Sequence, residues 1–142
     1  MEEQIFFFSE ETDFELLNQE AVAAWLGGLI SAAGAELESI SYIFCSDDYL
    51  LEINKEHLDH DYYTDIITFP LHDEGAPIMS DIFVSVDRVA DNAEQLGISF
   101  KDELHRVMAH GILHLLGHDD HDPEKVLLMR AAEENALSQR DF

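Results

Sequence analysis

Apolar residues change their spacing along the chain from two to three-and-four and back, and each change marks an element. Residues 4–8 are short, apolar and aromatic, which predicts a first strand. Thr12 and Asp13 then offer a cap for a helix carrying Phe14, Leu17, Ala21, Trp25 and Leu29 on one stripe and ending near Gly34. Residues 36–45 mostly alternate, with Leu37, Ile40, Tyr42 and Phe44 set against Glu36, Glu38, Ser39 and Ser41, so a second strand is expected. Ser46 followed by Asp47 and Asp48 combines a capping hydroxyl with acids in the first turn. The helix it starts runs through Leu50, Leu51, Ile53 and Asn54 to about Leu58.

A polar loop holding His57, His60 and Thr64 leads to the apolar strand 66–70, and residues 71–80, with Asp73, Glu74, Gly75 and Pro77, read as a connection. Residues 81–86 form a further strand, and 87–96 a helix closed by Gly97. Ser99 caps the next helix, whose apolar face carries Leu104, Val107, Met108, Ile112 and Leu115. Asp122-Pro123 starts a last helix through Val126, Met129 and Leu137. There is no repeat, low-complexity tract or linker. The pattern predicts one α+β domain over residues 1–142, a small mixed sheet packed by helices.

Composition narrows the setting. A single cysteine, Cys45, between apolar neighbours predicts a buried strand thiol in a reducing compartment rather than a bridge or a nucleophile. The acidic start lacks the positive charge of an export signal, and the weakly polar stretch 21–35 is too short to span a bilayer, so a cytoplasmic protein with no membrane partner is expected. His57, His60 and His72 have no mutual ligand spacing and are expected at the surface.

Seven Lys and Arg against 31 Asp and Glu give a net charge of −24, which argues against a non-specific polyanion binder. Adaptation to a salty cytoplasm, or solubility, accounts for such an excess better than a direct functional role. Only Lys55 and Arg88 fall in the first hundred residues, so an anionic ligand is expected to approach the side built by the rest.

The chemistry concentrates in His110-Gly-Ile-Leu-His114-Leu-Leu-Gly117-His118-Asp119-Asp120-His121-Asp122. On a helix, residues four apart differ by about 40° in azimuth, so His110 and His114 aim at a common point. Gly117 can adopt the left-handed conformation that ends the helix and turns the chain back. Asp120 is best placed for a third donor. The string has the spacing of the long zinc-hydrolase signature, except that Gly111 stands where zinc peptidases carry their general-base Glu, so a peptidase would lack its catalytic group.

Taken together, this string, Asp65-Ile-Ile-Thr-Phe69-Pro70 after Leu51-Glu-Ile-Asn54, and Asp81-Ile82-Phe83-Val84 resemble the YbeY family of bacterial single-strand-specific metallo-endoribonucleases. The resemblance spans roughly residues 36–135. It implies a zinc enzyme, one ion per chain, that acts on single-stranded or ribosomal RNA, trims the 3′ end of small-subunit ribosomal RNA and takes part in ribosome quality control, with ribosomal or assembly partners. The family's third ligand is commonly His, whereas the residue in register here is Asp120, with His118 and His121 displaced; aspartate oxygen is an accepted zinc ligand. The family's usual Arg before the Asp65 strand corresponds to Leu58, and the Gly before Asp81 is Ser80.

Two residues join the metal set of His110, His114 and Asp120 as candidates. Asp81, at the expected start of a strand, either orients the site or caps a turn. Arg106 lies in an i, i+4, i+8 row with His110 and His114, where it would engage RNA or stabilise the transition state, unless it pairs with Asp102 or Glu103. Two rival functions share the sequence features: a minimal zinc peptidase or other small-substrate hydrolase, and a non-catalytic zinc-stabilised ribosome-assembly protein.

Overall fold

A computed structural model describes residues 4–142 of the chain. The acidic start, Met1 to Glu3, lies outside the described residues. Four strands, β1 (Ile5–Glu10), β2 (Leu37–Cys45), β3 (Ile66–Pro70) and β4 (Ile78–Ser85), form one sheet in the order β1-β2-β4-β3. β1 and β4 run parallel to β2, and β3 is antiparallel to β4, so the sheet is mixed. Five helices accompany it, α1 (Gln19–Ala32), α2 (Asp47–Leu58), α3 (Val86–Leu96) and α4 (Phe100–Leu115) against the sheet and α5 (Pro123–Ser138) against α4. The result is a single α+β domain.

Alternation along the strands sorts the two faces. Ile40, Tyr42 and Phe44 of β2 with Ile78, Ile82 and Val84 of β4 build the main core, closed by Trp25, Leu26 and Ile30 of α1 and by Leu104, Met108 and Ile112 of α4. The opposite face holds a smaller cluster of Cys45, Leu50 and Ile67, against which Phe69 and Phe83 pack. α4 is the central helix. Tyr42 donates its hydroxyl to the Met108 carbonyl at 2.7 Å, and Trp25 donates its indole N–H to the Ala136 carbonyl of α5 at 2.8 Å, so both buried polar atoms are satisfied.

Local signals hold at most helix ends. Ser46, Ser99 and Asp122 each accept the backbone N–H three residues on, and Gly97 and Gly117 take positive φ where the helices stop. Cys45 is a buried strand thiol whose pKa burial, followed by the nearby Asp87 and Asp47, pushes up to about 12. Among the described residues, no helix is long and apolar enough to cross a membrane.

Four boundaries differ from expectation. α1 begins at Gln19, not at Thr12 or Asp13, because the preceding segment is anchored to the core: the Phe14 ring packs edge-on to Phe44 at 5.0 Å and Leu16 is buried, while Leu17 is left in solvent. The Thr12 hydroxyl is taken by the Phe14 N–H, a local turn that competes with capping. β1 runs on to Glu10 through parallel pairing with β2 as far as Cys45. β4 starts at Ile78, inside the expected connection, because Ile78 pairs with Leu37 of β2, whereas Val86 opens α3 behind a Ser85 cap.

At the edge of the core, buried His105 lies between the Trp25 and Phe142 rings. Arg140 Nη1 approaches its Nδ1 at 2.7 Å, and because a guanidinium only donates, His105 must be neutral with Nδ1 as acceptor. Burial, followed by the charges of Arg140 and Lys101, lowers its pKa to about 4 from the ordinary 6.5. The unfolded chain therefore binds the extra proton first, and stability present above pH 6.5 is lost as pH falls towards 4. Thermal melts of His105→Phe across this range should show a flatter pH dependence than wild type; an unchanged slope would remove His105 as its source.

Candidate metal centre

α4 presents His110 because of how closely it lies on the sheet. A Cβ added at Gly111 would come within 3.1 Å of Ile66 Cδ1 and 3.3 Å of Ile82 Cδ1, so position 111 faces β3 and β4 in tight packing. The peptidase alternative lacks its base here because the position is glycine, and it faces the sheet rather than the candidate centre. His110, one residue earlier, faces away towards α5.

Its two ring nitrogens have different neighbours. Nδ1 lies 2.7 Å from Glu133 Oε2, and because the carboxylate accepts, Nδ1 carries the hydrogen. Nε2 is thereby left as a lone pair, 3.9 Å from Asp120 Oδ2 on the turn beyond Gly117. An imidazole held by a carboxylate on one nitrogen and free on the other is the usual presentation of a metal-ligating histidine.

Behind His110 the charges are buried. Glu133 is 2% exposed and Glu103 0%. Arg106 joins them, donating Nε and Nη2 to the two oxygens of Glu103 at 2.8 and 2.6 Å, and Nη1 to Glu133 Oε1 at 3.0 Å. The Glu103 hydrogen bonds raise the Arg106 pKa against the opposing effect of burial, and the Glu133 bond adds to the rise. For Glu133, burial works upward, yet the bonds from His110 and Arg106 outweigh it and hold the carboxyl below its usual range. Arg130 Nη1 also lies 3.6 Å from Glu133 Oε1, so the charges of the cluster balance, and what acts on the His110 ring is the Glu133 carboxylate in contact with Nδ1, which strengthens Nε2 as a donor to a cation.

The expected residues separate accordingly. His110 and Asp120 come together. His114 is exposed one helical turn further on, and among the described residues no three His, Cys, Asp or Glu side chains are gathered closely enough to enclose an ion. The donor chemistry and the carboxylate behind His110 nevertheless fit a divalent cation. Arg106 does not project freely along the His row: its guanidinium is occupied by Glu103, the partner expected for the ion pair, and by Glu133. Asp81 is the fourth residue of β4 rather than its first, and it shares a sheet face with Phe69 and Phe83, opposite to Ile82 and therefore to α4. The structure does not bring it to His110. His57 and His60 lie at the surface, His60 beside the Tyr62 hydroxyl, whereas His72 is half-buried with the Met79 N–H on its Nδ1.

Sequence patterning missed Glu133, although a carboxylate on the stripe of Met129, Glu133 and Ala136 is itself a signal, since such groups are almost never buried unpaired. It also passed over the side chain of Asp65, at the entry to β3. Burial raises the Asp65 pKa, against the lowering effect of the nearby Arg106 and His110 charges, and Asn92 Nδ2 donates to it at 3.4 Å.

Fold and site together define a small α+β domain with a histidine–carboxylate pair on its central helix. Comparison with known proteins is specific. The model of the family described as Endoribonuclease YbeY matches residues 7–141. Proteins named Endoribonuclease YbeY share 48% identity in Cytophaga hutchinsonii, covering 99% of both chains, and 46% in Flavobacterium johnsoniae, covering 92% of this chain and 94% of the relative. The solution structure of TM1509 from Thermotoga maritima shares the fold, with a TM-score of 0.67 and 24% identity over 95% of this chain and 87% of that one. The chain belongs to the YbeY family.

The Asp65 environment makes a prediction about stability. An acid whose pKa is raised on folding holds more protons folded than unfolded, so stability falls as pH rises through the carboxylate range. Asp65→Asn should therefore melt at a higher temperature than wild type at pH 7, with the gap closing in acid. A wild type more stable than the variant at neutral pH would contradict the assignment.

Proposed function

We propose that the protein is a zinc-dependent endoribonuclease that cuts single-stranded RNA in the cytoplasm, acting in 3′-end maturation of small-subunit ribosomal RNA and in ribosome quality control. Membership of the YbeY endoribonuclease family supports the reaction class. The ribosomal substrate, and ribosomal or assembly partners, follow the family resemblance. The observation that carries the site is the division of the His110 ring, with Nδ1 on Glu133 and Nε2 facing Asp120.

His110, His114 and Asp120 would hold one ion per chain, three protein donors with a fourth position open, as in catalytic rather than closed structural sites. When bound, zinc supplies Lewis acidity, activating water near neutral pH and polarising a phosphoryl oxygen. His110 contributes its Nε2 lone pair, kept free by the hydrogen bond at Nδ1. Asp120 contributes a carboxylate from an exposed turn, where RNA can approach. Arg106 holds Glu133 and Glu103 in place, and its charge lies behind the centre.

RNA does not meet a basic groove. Among the described residues every lysine and arginine except Lys101 lies beside a carboxylate, for example Arg88 on Asp47 at 2.6 Å, Lys125 on Asp119 at 3.3 Å and Arg140 on Asp102 at 3.1 Å. Lys101 lies over the Phe142 ring. With a net charge of −24, long-range electrostatics oppose encounter with a polyanion, and binding depends on the centre itself.

The purified protein should bind close to one zinc and cleave single-stranded but not duplex RNA, and chelation should abolish cleavage until zinc is restored. His110→Ala, His114→Ala and Asp120→Ala should each lose metal and activity, whereas His121→Ala should change little. Loss of the metal in His121→Ala with retention in Asp120→Ala would move the third donor. Metal-loaded protein that leaves single-stranded RNA intact, where a family member cuts it, would remove the function.

Salt provides a separate test. Raising ionic strength from about 0.01 to 0.15 M shortens the Debye length from roughly 30 to 8 Å. At subsaturating RNA the cleavage rate should rise over this interval, opposite to enzymes that bind phosphates through basic surfaces. A rate falling steeply from the lowest salt would reveal a cationic RNA contact instead.

A further inference from the structure

We propose that Glu133 is the positioning residue of the metal centre, setting the tautomer and ring plane of His110 and thereby its affinity for zinc. The inference rests on the metal reading given above, but what it asserts concerns His110 and can fail independently. Glu133 lies on the inner side of α5, 23 residues after His110 in sequence, and its two oxygens serve different partners: Oε2 faces His110 Nδ1 at 2.7 Å, and Oε1 takes Arg106 Nη1 at 3.0 Å.

The arrangement matters because the ring has a competitor for its hydrogen. Nε2 is 3.9 Å from the Asp120 carboxylate. An imidazole free of other partners would place its hydrogen on Nε2, towards that negative group, and so cover the lone pair needed for ligation. Glu133 is closer, buried and on the other nitrogen, so it draws the hydrogen to Nδ1.

Glu133 cannot swing away. Arg106 grips its second oxygen and is itself held through two bonds to Glu103, whose side chain is fully buried. Glu133 contacts the first donor, and Arg106 and Glu103 act only through Glu133. Charge adds to geometry: a carboxylate on the far side of a ligating imidazole strengthens the ligand and typically accounts for about tenfold to a hundredfold in metal affinity.

Two measurements test this. Nitrogen–proton correlation spectra of the imidazole rings, recorded on the metal-free wild-type protein, should show His110 as the Nδ1–H tautomer. A predominantly Nε2–H ring would overturn the proposal, and this readout needs no variant to fold. Zinc affinity, measured by competition with a chromophoric chelator, should then weaken about tenfold or more in Glu133→Gln, which keeps the shape and removes the charge. A Glu133→Gln protein that melts like wild type and binds zinc as tightly would also overturn it, whatever its effect on RNA. If Glu133→Gln loosens zinc while the wild type fails to cut RNA, the ribonuclease reading falls and the positioning role stands.

Discussion

The close seating of α4 on the sheet is the constraint from which the rest follows. With Gly111 against Ile66 and Ile82, and the Tyr42 hydroxyl on the Met108 carbonyl, the rotation of this helix about its axis is settled. One side of it is committed to the apolar core, so Glu103, Arg106 and His110 are presented to α5. A side chain at 111 would press on the Ile66 and Ile82 Cδ1 methyls, which would have to give by a few tenths of an ångström. Glycine is accepted here in mid-helix at a cost of about 1 kcal/mol in helix propensity, for the sake of close approach.

Given that seating, the second requirement is electrostatic. Two carboxylates buried between α4 and α5 would be costly in isolation, and the guanidinium of Arg106 with the His110 N–H makes the arrangement tenable. The network joins the two helices that border the candidate centre and sets the Glu133 carboxylate directly behind His110. The same economy extends across the surface, where nearly all the cations are engaged with acids. The proposed cleavage of RNA would therefore have to proceed in a repulsive field, at the candidate centre itself.

Much of this was legible in the sequence where the physics is local. Ser46, Ser99 and Asp122 cap their helices because a side-chain oxygen needs only the N–H three residues on, and Gly97 and Gly117 end helices because their positive φ suits glycine. The spacing from His110 to Asp120 was legible for the same reason, as one helix followed by one turn. What depends on partners distant in sequence was not. The extra residues of β4 exist because Leu37 pairs with Ile78, and α1 starts late because Phe14 finds Phe44. The face on which Asp81 lies follows from sheet register. Glu133 meets His110 only after α5 folds back, and its one local sign was an acid on an otherwise apolar stripe.

The central claim is that two imidazoles and one aspartate hold the ion. X-ray absorption at the zinc edge of the loaded protein tests it most directly. The account predicts nitrogen and oxygen donors at about 2.0–2.2 Å, with outer-shell scattering from two imidazole rings and no sulfur. Scattering from three imidazoles would place His118 or His121 where Asp120 is assigned, and would contradict it.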